Sequence, residues 1–179
     1  FLSMPFVFNT ADIKYWDGDS WESAELENHI RILMYNSSDR ANGNYSKTWE
    51  TLTSAQGIPA NQGFVIVGNA KLGTTAKLQF TSASKAYDGS VKSVTANSYR
   101  KSSGETYEGD KDWNFNGVPF LTSGKFDGSY TLYSYNNESR EWDVSIPTDG
   151  MPTLQPYSSV MYQAGMGDLS SKQINIEPS

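Results

Sequence analysis

The sequence has no cysteine, one histidine, and only 14 Lys and Arg against 20 Asp and Glu in 179 residues. The missing thiols exclude disulfides, cysteine nucleophiles, CxxC redox pairs and zinc sites built on thiolate. His29 is the sole imidazole, so histidine-rich metal sites are excluded and a Ser-His-Asp triad has one candidate base. The flanking Glu27-Asn28-His29-Ile30 contains no nucleophile elbow. Neither a GxxxxGK[ST] loop nor a GxGxxG turn occurs, which removes the common nucleotide-binding signatures. No window approaches the ~18 apolar residues of a membrane span, and no signal-peptide pattern is present. The net charge of −6 and a pI of about 4.7 argue against a nucleic-acid partner, which requires a basic surface or stripe. The chain opens Phe1-Leu2-Ser3-Met4-Pro5-Phe6, without an initiator methionine, which points to a piece of a longer precursor.

What the chain does hold is aromatic residues, 5 Trp, 11 Tyr and 8 Phe, in a background rich in Ser, Thr, Asn and Gly. Short β-type runs stand out over 30–35, 64–67, 76–81, 91–99, 130–135, 160–162 and 173–176. Between them lie Asp17-Gly18, Asn42-Gly43, Asp88-Gly89, Asp127-Gly128 and Asp149-Gly150, dipeptides suited to the positive φ of hairpin turns. Helical spacing is confined to Tyr45–Ala55 and Glu22–Ile32, each short.

An internal repeat gives these runs an order. Tyr35-Asn36-Ser37-Ser38-Asp39-Arg40 answers Tyr135-Asn136-Asn137-Glu138-Ser139-Arg140. Pro5-Phe6 answers Pro119-Phe120, and Trp49-Glu50 answers Trp142-Asp143. Further on, Gly57-Ile58-Pro59 matches Gly150-Met151-Pro152, with Gln62 and Phe64 matching Gln155 and Tyr157. Lys77-Leu78-Gln79-Phe80 and Gln173-Ile174-Asn175-Ile176 close the two copies. The expected fold is therefore all-β, an antiparallel sandwich-like protein of two internally repeated halves with at most one or two short helices. The first repeat covers 1–84, truncated at Phe1 and carrying an insertion over 10–29. A connecting strand segment covers 85–112 and the second repeat 113–179, the whole forming two units or one compact domain. The strand run before the second copy has no counterpart upstream of Phe1.

Trp113-Asn114-Phe115-Asn116-Gly117-Val118-Pro119-Phe120 is similar to the GWNLIGNPY element of β-rich repeat modules in secreted and surface proteins of Bacteroidetes. Ile58-Pro59-Ala60-Asn61-Gln62-Gly63-Phe64-Val65 resembles their IAPGQGFFV element, and Ser3-Met4-Pro5-Phe6 the Leu-Pro-Phe modules that accompany leucine-rich repeats in gut Bacteroides. The resemblance implies export, an extracellular or outer-membrane surface location and, as partners, other domains of the same precursor. It brings no catalytic residues.

Chemistry has few footholds. Asp17 with Asp19, Glu22 with Glu25, Glu105 with Glu108 and Asp110 with Asp112 are close in sequence, as a glycosidase pair must be in space. All lie in turns or strongly polar stretches, where solvated carboxylates are expected and a raised pKa is hard to achieve. Asp17, Asp19, Asp110 and Asp112 are weak calcium candidates, since neither cluster follows the twelve-residue calcium loop. No metal or other cofactor is otherwise implied. Trp49, Trp142, Tyr35, Tyr135, Phe64, Tyr157, Phe6 and Phe120 recur in both copies, as core residues of a duplicated unit would. Trp16 and Trp21 do not recur. They flank an Asp-Gly turn in the insertion, so Tyr15, Trp16, Asp17, Asp19 and Trp21 form a candidate sugar-stacking site. The expectation is a non-catalytic, structural or adhesive surface module with a glycan or host protein as a further partner. The alternative is a carbohydrate-binding module using the Trp16/Trp21 loop.

Overall fold

The computed structural model describes residues 1–72, 77–82, 93–118, 122–126, 129–146 and 152–178. The turns expected at Asp88-Gly89, Asp127-Gly128 and Asp149-Gly150, and the repeated Phe120, lie outside these residues. The first half contains β1 (Phe8–Asn9), β2 (Lys14–Trp16), β3 (Trp21–Ser23), β4 (Ile30–Tyr35), β5 (Trp49–Thr51), β6 (Gly57–Ile58), β7 (Phe64–Gly68) and β8 (Leu78–Gln79). The second contains β9 (Ser93–Asn97), β10 (Trp113–Gly117), β11 (Gly124–Phe126), β12 (Leu132–Asn136), β13 (Glu141–Ser145), β14 (Thr153–Leu154), β15 (Ser159–Gln163) and β16 (Ser171–Pro178). They pair antiparallel in five sheets, ordered β5-β4-β7, β1-β6 and β3-β2-β8, then β10-β15-β12-β13 and β14-β11-β16-β9. The fold is all-β, as expected.

The second half packs one sheet on another, and the first packs β5-β4-β7 on its two smaller sheets. In the first, Ile30 and Ile32 of β4 and Phe64 of β7 bury against Phe8, Ile13 and Ile58. In the second, Leu132, Val160 and Tyr162 bury against Val94, Phe126, Ile174 and Ile176. These are separate clusters, each closed by alternate residues of facing strands. A third cluster joins the halves: Tyr35 and Trp49 from the first with Trp113, Phe115, Tyr133 and Met161 from the second, and Phe1 beside them.

The strand pairings place the repeat more firmly than residue matching does. Leu33 pairs with Val65 where Tyr133 pairs with Met161, and Leu2 bridges Phe64 where Asn116 pairs with Val160. Phe64 therefore corresponds to Val160, three residues beyond the Tyr157 suggested by the Gln-x-aromatic match. Tyr157 instead corresponds to Asn61, and both hold a φ of 62°. The shared asparagine of the Tyr-Asn motif is a turn cap. Asn36 Oδ1 accepts from Asp39 N at 2.9 Å and Asn136 Oδ1 from Ser139 N at 3.2 Å.

The insertion also acquires a structural meaning. β2 lies along β8 (Tyr15 opposite Leu78) as β9 lies along β16 (Val94 opposite Ile174). A hairpin from within the first copy thus fills the position that β9, upstream of the second copy, fills in the other half.

Neither expected helix forms. Glu22–Ile32 is broken at Glu27, whose φ is 67°, and becomes the turn between β3 and β4. Tyr45–Ala55 yields one 3-10 turn (Tyr45–Lys47) and then the extended β5, in which Trp49 pairs with Tyr35. The one α-helix among the described residues, α1 (Ser37–Ala41), is closed by Asn42 and by Gly43 at φ 79°, so this Asn-Gly caps a helix and makes no hairpin.

Candidate functional site

The halves meet by exchanging equivalent contacts. Leu2 bridges its own Phe64 and, across the junction, Ser158, while Asn116 pairs with its own Val160 and, across the junction, Gln62. Ser3 N donates to Tyr157 O at 2.8 Å, and its counterpart Gly117 N donates to Asn61 O at 3.0 Å. Phe1 and its counterpart Phe115 pack edge to face, with centroids 4.8 Å apart. Phe1 also lies on Trp142 and Tyr135 of the second half, and Phe115 on Trp49 and Tyr35 of the first. This reciprocity is that of an isologous two-fold interface, here within one chain.

Beside this interface opens a groove of about 470 Å³. Tyr35, Thr48 and Trp49 line it from the first half, and Trp113, Tyr133, Trp142, Val144 and Met161 from the second. Arg40 and Tyr45 form its rim. The repeated aromatics thus build a junction and a groove, and among the described ones only Phe64 is wholly in a unit's core. Trp142 is 51% exposed and Tyr135 and Tyr157 are also exposed, contrary to the expected core role. Pairing explains the difference: Trp142 and Val144 lie on one face of the edge strand β13, beside Tyr135 and Tyr133 of β12, with no further strand outside them among the described residues.

The rim is held electrostatically. Arg40, at the end of α1, reaches across to the 3-10 turn Glu108–Asp110 of the second half. Its Nε donates to Asp110 Oδ1 at 2.8 Å and its Nη2 to Gly109 O at 3.4 Å. Tyr45 Oη donates to the other oxygen, Asp110 Oδ2, at 2.5 Å, and this hydrogen bond raises the phenol's pKa. The Arg40 guanidinium lies over Trp113, at 5.3 Å, and Tyr45, at 5.9 Å. Trp113 Nε1 donates to Gly109 O at 2.8 Å, which fixes the indole in the wall.

Thr48 Oγ1, in a residue 6% exposed, is buried behind the wall and lacks a partner among the described residues. A buried hydroxyl without a hydrogen bond costs about 1 to 3 kcal/mol. Burial raises the pKa of Tyr35, partly offset by the charge of Arg40 and its interaction with the phenol oxygen, so the phenol stays neutral. Aromatic side chains and a neutralised rim suit an uncharged ligand with apolar faces.

The insertion site looks different. Tyr15, Trp16, Asp17, Asp19 and Trp21 do come together on the β2–β3 hairpin. The two indoles pack on each other, however, at 5.5 Å and 66°, so an edge of one covers the face of the other. Tyr15 stacks on His29 at 4.8 Å, and His29 Nδ1 accepts from Glu25 N at 3.1 Å. Asp17 Oδ1 accepts from Asp19 N and Ser20 N, both at 2.8 Å, and these bonds hold its carboxyl below the ordinary aspartate value. Asp17 therefore closes its own turn.

Asp110 and Asp112 also depart from expectation, for they are buried rather than solvated. Asp112 accepts from Ser98 Oγ, Tyr99 N, Met166 N and, at 2.7 Å, Arg100 Nη2. Both carboxylates are engaged in tying loops to the second half. Among the described residues no group of three His, Asp or Glu side chains is placed to hold a metal ion. The repeat pointed to Tyr35, Trp49 and Trp142 but not to a groove, and nothing in the sequence paired Arg40 with Asp110. Compared with known proteins, the chain matches no family model, no curated protein and no solved structure.

Proposed function

We propose that the protein is a non-catalytic, adhesive binding module that holds carbohydrate in the groove between its two halves. One observation carries this reading: aromatic side chains from both halves converge on one groove, with Arg40 and Tyr45 beside them. Sugar rings offer C–H faces that stack on such side chains. The non-catalytic part is supported by the make-up of the lining, whose described residues are aromatic, apolar, hydroxylic or, at Arg40, cationic, whereas glycoside hydrolysis needs a pair of carboxyl groups. Export, display on a Bacteroidetes-type surface protein and association with further domains of one precursor rest on the sequence resemblance alone.

The ligand is thereby assigned to the junction rather than to the insertion. What supports this choice is that Trp142 is 51% exposed and lines a groove with Trp49 and Trp113, whereas Trp21 is 39% exposed and packs on Trp16 outside it. The test is titration with cello-, manno-, xylo- and maltohexaose, followed by calorimetry and tryptophan fluorescence. Binding of at least one, lost in Trp49→Ala with Trp142→Ala, is the expected result. Silence for all four in the folded protein would overturn the proposal.

A further inference from the structure

We infer that the groove selects neutral sugar chains over uronate chains, because the one charge in its lining is already neutralised from behind by Asp110; this rests on the carbohydrate reading above. Among the described residues, Arg40 is the only charged one lining the groove. Alone, its guanidinium fork would be a ready site for a carboxylate. One edge of the fork is taken: Nε is held by Asp110 Oδ1 and Nη2 by Gly109 O, while Trp113 and Tyr45 lie against the guanidinium. The second Asp110 oxygen is occupied by the Tyr45 hydroxyl. A ligand carboxylate would have to share Arg40 with the buried Asp110 carboxylate, which already neutralises it, and the like charges would repel across the guanidinium.

The other described side chains lining the groove are uncharged and so make no demand for a ligand charge. The whole molecule adds a weaker bias in the same direction through its net charge of −6. The two sources of rejection respond differently to salt. The remote field fades over roughly 10 Å at moderate ionic strength, whereas a buried pair is little screened.

The experiment compares the four neutral hexaoses with hexagalacturonate and hexamannuronate, at low and high salt, in the wild-type protein and in Asp110→Asn. In the wild type the best neutral chain is expected to bind at least about tenfold tighter than either uronate, and raising the salt should not close the gap. Asp110→Asn keeps the side-chain shape and frees Arg40, so the gap should narrow about tenfold or more. Uronates binding the wild type as tightly as the neutral chains would overturn selection by charge while leaving the carbohydrate site standing. A gap that closes on adding salt alone, or a folded variant that narrows nothing, would overturn the assignment to Arg40 and Asp110. Failure of every chain to bind the wild type would remove both the inference and the reading beneath it. The wild-type arm decides the selectivity even where the variant does not fold.

Discussion

Replacing Phe115 by alanine should uncouple the two halves. Phe115 is 3% exposed and packs on Phe1, Tyr35 and Trp49, so its ring is the second half's main insertion into the first. The neighbouring wall is Gly63, where even an added Cβ would fall 2.5 Å from the ring, so no side chain is present there to fill the space left. Losing a buried phenyl ring at a site that collapses poorly costs about 4 kcal/mol. With a slope of about 2 to 3 kcal/mol per M for a protein of this size, the urea midpoint should fall by about 1.5 to 2 M. Neither core cluster contains Phe115. Far-UV circular dichroism and tryptophan fluorescence should therefore cease to coincide, as one half unfolds before the other. A single coincident transition displaced by less than about 0.5 M would refute the claim that this ring couples the halves.

Gly117→Ala should be nearly as harmful, because a Cβ there would lie 1.5 Å from the buried Ser3 Oγ and 2.7 Å from Ser158 O; a loss of about 1 to 3 kcal/mol in thermal unfolding is expected, and an unchanged melting temperature would contradict it. Trp16→Ala with Trp21→Ala should leave glycan affinity unchanged, while Trp142→Ala alone should weaken it roughly 30-fold, the loss of about 2 kcal/mol typical of a tryptophan anchor; the reverse pattern would return the site to the insertion. Asp17 should titrate below 3.8 in a carboxyl NMR titration. Its folded-state pKa is depressed, so the turn's contribution is present above the unfolded value and lost as pH falls through the folded one; a midpoint at or above 3.8 would contradict the capping role. Tyr45 titrates high because its proton bridges to Asp110, so the rim contact is kept below the ordinary tyrosine pKa and lost as pH rises through the raised one. In an ultraviolet phenol titration Asp110→Asn should bring that midpoint down, and an unmoved midpoint would contradict the contact.

Where burial alternates, the strands were legible. Ile30–Tyr35 forms a strand end to end because Ile30 and Ile32 face the core while Arg31 faces solvent. Strands of two residues, such as β1, β6 and β14, leave no periodicity to read, and β13 is exposed on both faces, so pattern cannot mark it. Helical spacing at Tyr45, Trp49 and Leu52 was outweighed by the pairing of Trp49 with Tyr35, a tertiary preference that local propensity does not carry. The repeat matched Tyr35 with Tyr135 and Trp49 with Trp142 correctly and misplaced Phe64 on Tyr157. It could not distinguish a unit's core from a symmetric junction, since both keep the same residues in both copies. Asp110 and Asp112 read as solvated because their neighbours are polar, yet Asp110 is buried against Arg40 of the other half and Asp112 between its near neighbour Arg100 and the backbone of Met166.

The five tryptophans provide the most direct test, since Trp49, Trp113 and Trp142 line the groove while Trp16 and Trp21 sit on the inserted hairpin. Indole N–H signals followed by NMR during titration with the tightest-binding neutral hexaose report both places at once. With the sugar held in the groove, the signals of Trp49, Trp113 and Trp142 are expected to move with one common affinity while those of Trp16 and Trp21 stay fixed. Movement confined to Trp16 and Trp21 would contradict a site at the junction.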